Sequence, residues 1–389
     1  MALLRREGFD GEIVMVGAEE HAPYHRPPLS KSFGSENVKW LYDPAFYADN
    51  GITALLGDTA VSIHRSSRRV TLAGGTQLEY DMLVLATGAE PRCLDLPGKD
   101  LEGIHVLRDL ADATSLGRDI LSGRPLAIVG GGYVGLEVAA AARTRGVEVT
   151  VIEREDRILA RVASPDLSDR IAEHHQRSGT TIVTGAETVG YRCDAGRVGG
   201  VRLADGTEIP CGTVLVGAGA IPRDGLAREA GLACDQGVVV NARSRTSDES
   251  ILAIGDVANR PVAGLATPSG RMRVESIQNA VEQARHAVDV VLGRPAQDHD
   301  IPWFWSDQFE LKIKIVGIVH GDYETVQRGD PAGGSYALYH LRGGRLLAAE
   351  TVNSPRDFMA AKKMLTRQCP VDPQALLDPD TDLRVLVSA

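Results

Sequence analysis

At about 150 residues per domain, the 389-residue chain predicts two or three domains. Its 42 Lys and Arg against 52 Asp and Glu leave a net charge of −10, without the basic excess that non-specific nucleic-acid binding needs. The least charged stretches, Pro125–Leu136 and Ile209–Pro222, are Gly-rich and fall short of the roughly 18 apolar residues of a bilayer span.

The start, Met1-Ala-Leu-Leu-Arg-Arg-Glu7, lacks the apolar run and cleavage site of an export signal. Cys93, Cys193, Cys211, Cys234 and Cys369 are scattered and odd in number, forming neither a disulfide framework nor a CxxC pair. The expectation is a soluble cytoplasmic protein with no membrane or nucleic-acid partner.

In chain order, Glu12–Val16 reads as a short strand ending at Gly17. The prolines of Pro23–Lys31 then forbid a long helix. Val70–Leu72 and Met82–Ala86 read as strands, the second running into Thr87-Gly88. Leu126–Val129 is a buried strand, Gly130–Gly135 a turn, Leu136–Arg145 an alanine-rich helix stopped by Gly146, and Val147–Ile152 the next strand. This is a βαβ unit of about 30 residues. Thr181–Thr184, Val198–Leu203, Thr213–Val216 and Ile251–Ile254 read as further strands, the last ending at Gly255-Asp256. From Ile301 the pattern changes: Trp303-Phe-Trp305, then strands at Lys312–Val319, Tyr336–Leu341 and Arg345–Val352, then a helix near Arg356–Leu365.

Three of these features carry chemistry. Gly130-Gly-Gly-Tyr-Val-Gly135 follows a strand, opens a helix, and has Glu153 at the end of the next strand, the context a dinucleotide fingerprint requires. Its glycines let the backbone approach a pyrophosphate at a helix N-terminus, where free N–H groups favour anions. Glu153 accepts from ribose hydroxyls and opposes a 2′-phosphate, which favours NADH, although the adjacent Arg154 is a residue type that accommodates that phosphate. Asp256, just past a buried strand, suits either the hydroxyls of a flavin ribitol or an Asx turn. Thr87-Gly88 after its strand is equally open between ligand binding and a plain turn.

With these features in place, Tyr24-His-Arg-Pro-Pro-Leu-Ser-Lys31, His105-Val-Leu-Arg108, Ile301-Pro-Trp-Phe-Trp-Ser-Asp-Gln308 and Val352-Asn-Ser-Pro-Arg-Asp-Phe-Met359 narrow the resemblance. The chain resembles, over its whole length, the ferredoxin reductases of bacterial oxygenase systems, the two-dinucleotide flavoproteins that include putidaredoxin and rubredoxin reductases. The resemblance implies an α/β fold with two Rossmann-like domains, the NAD domain inserted in the FAD domain, plus a C-terminal α+β domain. On this chain those parts fall at 1–104 and 237–300 for FAD, 105–236 for NAD and 301–389 for the C-terminal domain.

The resemblance further implies two cofactors, FAD and NAD. It places Arg26 and Thr87 among the cofactor-binding residues, Lys31 beside the flavin ring, Arg108 on the FAD pyrophosphate and Asp256 on the ribitol. Ala60 falls at the adenine, Ile277 along the isoalloxazine and Trp305 over it. On the NAD side it places Gly130, Gly132, Tyr133, Val134 and Gly135 in the phosphate turn, Glu137 near the nicotinamide, Glu153 and Arg161 at the adenosine, and Gly217 beside the cofactor. Lys31 and Glu137 are the residues expected to act at the flavin, pairing there and re-pairing as NADH enters.

The implied partners are NADH and a ferredoxin-type iron–sulfur protein, with the reductase a monomer or weak dimer. Without CxxC, electrons leave through that external acceptor. The sequence departs from the pattern in lacking the N-terminal strand and FAD glycine turn, with Met1 inside the expected first helix. Ala18 stands where an acid is usual, with Glu19 adjacent, and Lys314 where Gln is common. Two other readings stay open: a flavoprotein serving another acceptor such as nitrite reductase or quinone, and a flavin-free NADH-binding sensor or interaction protein.

Overall fold

The computed structural model describes residues 1–33, 38–262, 269–295, 301–368 and 370–384; Cys369 lies outside them. The chain divides into two compact units. The first comprises Met1–His25, Lys39–Glu90 and Ile221–Pro302, and the second Arg26–Val38, Pro91–Ala220 and Trp303–Ala389. Among the described residues no helix is long and apolar enough to cross a membrane.

In the first unit a short helix, Ala2–Arg6, precedes the strand Ile13–Gly17, which pairs in parallel with Ile52–Leu56. A second parallel pair joins Leu83–Leu85 to Ile251–Ala253, and an antiparallel meander runs through Ala60–His64, Arg69–Leu72 and Gln77–Glu79. Leu72, Leu85, Ile251 and Ala253 share one core. Among the described residues the two parallel pairs remain separate two-stranded sheets. Val14 and Val84 are exposed, where parallel strands are ordinarily covered on both faces. The helix Ile277–Val291 buries Asn279, Glu282 and Gln283, a polar face that hydrophobic periodicity does not reveal. Gln283 Oε1 accepts from Gly255 N at 2.7 Å, and Arg260 donates to Asn279 and Glu282 at 2.6 and 3.1 Å.

Besides a three-stranded sheet, Thr188–Asp194, Arg197–Leu203 and Glu208–Pro210, the second unit contains two five-stranded sheets. One is parallel, in the spatial order Thr181–Val183, Val149–Ile152, Leu126–Val129, Thr213–Val216, Ile104–His105. Its central strand is buried at every residue, as an α/β sheet covered on both faces demands. The other is antiparallel, in the order Trp303–Gln308, Leu311–Gly317, Arg345–Val352, Ser335–Arg342, Glu324–Asp330, with the helix Pro355–Arg367 after it. Leu126, Ile128 and Leu136 share a single core with Ile313, Ile315 and Leu338.

The glycine-turn helix spans Tyr133–Thr144, three residues earlier than its alanine-rich run suggests. Extended Gly132 is its N-cap, so Tyr133, Val134 and Gly135 already form the first turn. The expected strand Lys312–Val319 ends instead at Gly317, whose φ of +80° breaks the ladder. Helices Leu110–Leu121 and Pro165–Arg177 were not apparent from apolar spacing; their starts are set by Asp109, which forms a capping box with Asp112, and by Ser164, which caps Leu167 N.

Candidate functional site

The second unit holds the glycine turn. Gly130 leaves the strand Leu126–Val129 with φ +114°, and a side chain there would overlap the Gly217 carbonyl. Gly217 N in turn donates to Val129 O at 2.8 Å, so the turn is closed by the end of the neighbouring strand. A Cβ on Gly135 would lie 2.6 Å from Gly130 O, so helix and strand meet too closely for any side chain. Outside its own helix and chain neighbours, nothing lies within 4 Å of the position a Gly132 Cβ would occupy. No side chain caps the helix there, which leaves first-turn N–H groups for an anion. The turn therefore fits a dinucleotide pyrophosphate.

Glu153 Oε2 accepts from Gly131 N at 2.7 Å and Oε1 from Glu155 N at 2.9 Å. Its carboxylate is thus fixed beside the turn, with lone pairs left for ribose hydroxyls. Arg154 donates to Glu155 at 2.8 Å. Exposed Arg161 brings a guanidinium nitrogen to within 3.5 Å of the position a Gly219 Cβ would occupy. Val134 is 49% exposed, whereas the Tyr133 ring packs edge-on against Phe304 at 4.4 Å. Burial, with the Glu350 charge second, pushes the Tyr133 hydroxyl well above its usual pKa. Tyr133 therefore serves the turn through its backbone.

Glu137, one helical turn further, is only 7% exposed, and it meets the 3₁₀ turn Pro27–Ser30 that the prolines impose. Lys31 Nζ lies 2.9 Å from its Oε2, Ser30 Oγ donates to the same oxygen at 2.5 Å, and Ser306 Oγ donates to Oε1 at 2.7 Å. The two residues expected at the flavin thus form an ion pair across more than a hundred residues of chain. Arg26 Nη1 donates to Arg108 O at 2.7 Å, joining two further candidates. Half-buried Trp305 pairs in register with Lys314 and lies 6.1 Å from the Trp303 ring, while Lys314 Nζ stands 5.2 Å from the Phe358 ring.

The remaining candidates belong to the first unit. Asp256 is half-buried in the 3₁₀ turn Gly255–Val257, with its carbonyl accepting from Arg273 at 3.0 Å. Ile277 opens its helix and is 37% exposed. Ala60 begins the meander opposite Leu72, and Thr87 Oγ1 donates to Arg223 O at 2.8 Å. Glu19 accepts from Tyr24 Oη at 2.5 Å. Sequence reasoning missed Ser30, Ser306, Gln308 and His175, which join the Glu137 cluster. Ser30, Ser306 and Gln308 stood inside motifs already singled out, but nothing in the sequence points to His175.

A glycine turn of this kind, with a carboxylate fixed beside it and a half-buried Lys paired to a buried Glu in its helix, fits the pyridine-nucleotide oxidoreductase class. Residues 1–284 match the pyridine nucleotide-disulphide oxidoreductase family, and 303–387 match the reductase C-terminal family. The rhodocoxin reductase of Rhodococcus erythropolis is 41% identical over 391 residues, covering 99% of this chain and 90% of that protein. A probable ferredoxin reductase, CtmF, of Castellaniella defragrans is 40% identical over 388 residues, covering 98% and 94%. The reductase in the crystal structure of the covalent putidaredoxin reductase–putidaredoxin complex has 36% identity and a TM-score of 0.94, covering 99% of this chain and 94% of that one. The chain belongs to the ferredoxin reductase family of oxygenase systems, within the two-dinucleotide flavoproteins.

Proposed function

We propose that this protein transfers hydride from NADH to FAD and then single electrons to a ferredoxin-type iron–sulfur protein that supplies an oxygenase. The observation that carries the reading is the second unit's pairing of a dinucleotide turn, held by Glu153, with a Lys31–Glu137 ion pair whose Glu137 lies in the helix that the turn opens. Bound flavin supplies the redox chemistry, accepting a hydride and releasing electrons one at a time.

The chain's own groups bind and orient. The Gly132 turn takes the NADH pyrophosphate, Glu153 and Arg161 the adenosine end, and Glu137 the nicotinamide end. Lys31 places a positive charge for a reduced, anionic ring, and Trp305 offers it a stacking face. Asp256 accepts from the ribitol, Arg108 and Arg26 balance the FAD phosphates, and Thr87, Ala60 and Ile277 complete the flavin contacts. Domain limits of 1–104 and 237–300 for FAD, 105–236 for NAD and 301–389 for the C-terminal part belong to the same proposal. Monomer or weak dimer is the proposed state.

Purified protein should carry flavin absorbance and reduce an iron–sulfur ferredoxin with NADH. A colourless preparation that binds NADH but takes up no added FAD would favour the sensor reading instead. The wild type should show higher kcat/KM with NADH than with NADPH. Because Glu153 is placed to make charge-assisted bonds to the ribose, Glu153→Ala should raise the NADH KM by roughly one to two decades. A wild-type preference for NADPH would remove Glu153 from that role.

A further inference from the structure

The Glu137 carboxylate terminates a buried chain of hydrogen bonds that reaches a second helix. Gln308 Nε2 donates to Ser306 Oγ at 3.1 Å, and His175 Nε2 lies 2.9 Å from Gln308 Oε1. His175, Ser306 and Gln308 are all fully buried. They come from the helix Pro165–Arg177 and the strand Trp303–Gln308, while Glu137 belongs to the glycine-turn helix.

The direction of the chain follows from donor inventory. Burial lowers the His175 pKa from 6.5 to about 4, so the ring is neutral in the working range and carries one N–H. His175 Nδ1 has no partner among the described residues. A bare lone pair there costs less than an orphaned N–H, so the proton sits on Nε2 and points at Gln308 Oε1. That fixes the Gln308 amide, whose N–H occupies a lone pair of Ser306. The single Ser306 proton must then go to Glu137 Oε1. Every donor along the chain points toward the carboxylate, an arrangement in which successive bonds polarise one another.

Ser30 and Lys31 hold only Oε2. Ser306 donates to Oε1, so its bond sets the rotation of the carboxylate plane. We infer that Ser306 and Gln308 are positioning residues that orient Glu137 toward the nicotinamide end of the dinucleotide, with His175 locking the Gln308 amide; the inference rests on the NADH reading of this unit.

Calorimetric titration with NAD+ and with ADP-ribose tests it without turnover, since ADP-ribose shares the turn and Glu153 but lacks the nicotinamide. Ser306→Ala should weaken NAD+ by roughly fivefold, the value of about one hydrogen bond, and leave ADP-ribose unchanged. The double variant His175→Leu/Gln308→Leu removes both partners of the inner bond together, which spares the fold an orphaned buried N–H. It should weaken NAD+ in the same selective way, though less.

Equal NAD+ affinity in wild type and both variants would overturn the inference. So would a parallel loss of both ligands, which marks a merely structural chain. Wild-type protein that binds neither ligand would instead overturn the NADH reading itself.

Discussion

Replacing Glu350 by alanine should destabilise the second unit by at least about 3 kcal/mol, because each buried donor left unsatisfied costs about 1–3 kcal/mol. Glu350 and His340 are fully buried on adjacent strands of the antiparallel sheet. Glu350 Oε1 accepts from Ser164 N at 2.8 Å, and Oε2 accepts from both Ser164 Oγ and His340 Nε2, the latter at 3.0 Å. Ser164 is the N-cap of the helix Pro165–Arg177, so the carboxylate also sits at the positive end of a helix dipole. Alanine would orphan a backbone N–H, a hydroxyl and an imidazole together and leave a cavity.

Chemical denaturation should show the loss, and hydrogen exchange should locate it in the first turn of that helix, where opening no longer breaks a buried bond. The triple variant Ser164→Ala/His340→Leu/Glu350→Leu should recover much of the stability, because apolar replacement of a whole buried polar cluster is often neutral. A Glu350→Ala midpoint equal to wild type would sink the assignment.

How legible these sites were follows from where their partners lie. The strand Leu126–Val129, the glycine turn and Glu153 form one local unit of sequence, and local spacing was enough to read it. The pairing of Lys31 with Glu137 came from resemblance; the structure adds Ser30, which the proline-enforced 3₁₀ turn brings to the same oxygen. Glu350, His340 and His175 were invisible for a different reason. Each is a polar residue buried against a polar partner on another element, Glu350 and His175 against partners more than a hundred residues away, and a hydrophobic-periodicity reading scores such positions as surface. The helix Pro165–Arg177 shows this directly: it buries Ser168 and His175 beside Leu167 and Ile171, so its inward face does not look apolar. The helix Ile277–Val291 hides Asn279, Glu282 and Gln283 in the same way.

Alanine at the three glycines of the fingerprint should separate folding from ligand binding. Gly130 combines a φ of +114° with a blocked Cβ position against the Gly217 carbonyl. Alanine pays both a conformational cost and a backbone displacement there, so Gly130→Ala should lower stability by several kcal/mol or prevent folding, at the severe end for single substitutions (above about 4 kcal/mol). Gly135→Ala forces the helix away from the strand, because its Cβ would stand 2.6 Å from Gly130 O and 3.1 Å from Ile128 Cγ2. A smaller destabilisation follows, since its φ is not in the left-handed region.

Gly132 differs from both. Its φ of −82° and ψ of 173° suit any residue, and nothing outside its own helix and chain neighbours lies within 4 Å of its Cβ position. Gly132→Ala should therefore change stability by less than about 0.5 kcal/mol, as surface substitutions do. The open space is nevertheless where the backbone must let a pyrophosphate approach. A methyl group there should weaken NAD+ and ADP-ribose together by roughly tenfold or more. Thermal melts without ligand and titrations with both ligands read the two effects independently. If Gly132→Ala binds both ligands as wild type does, the turn is a packing device alone, and the dinucleotide must be held elsewhere in the chain.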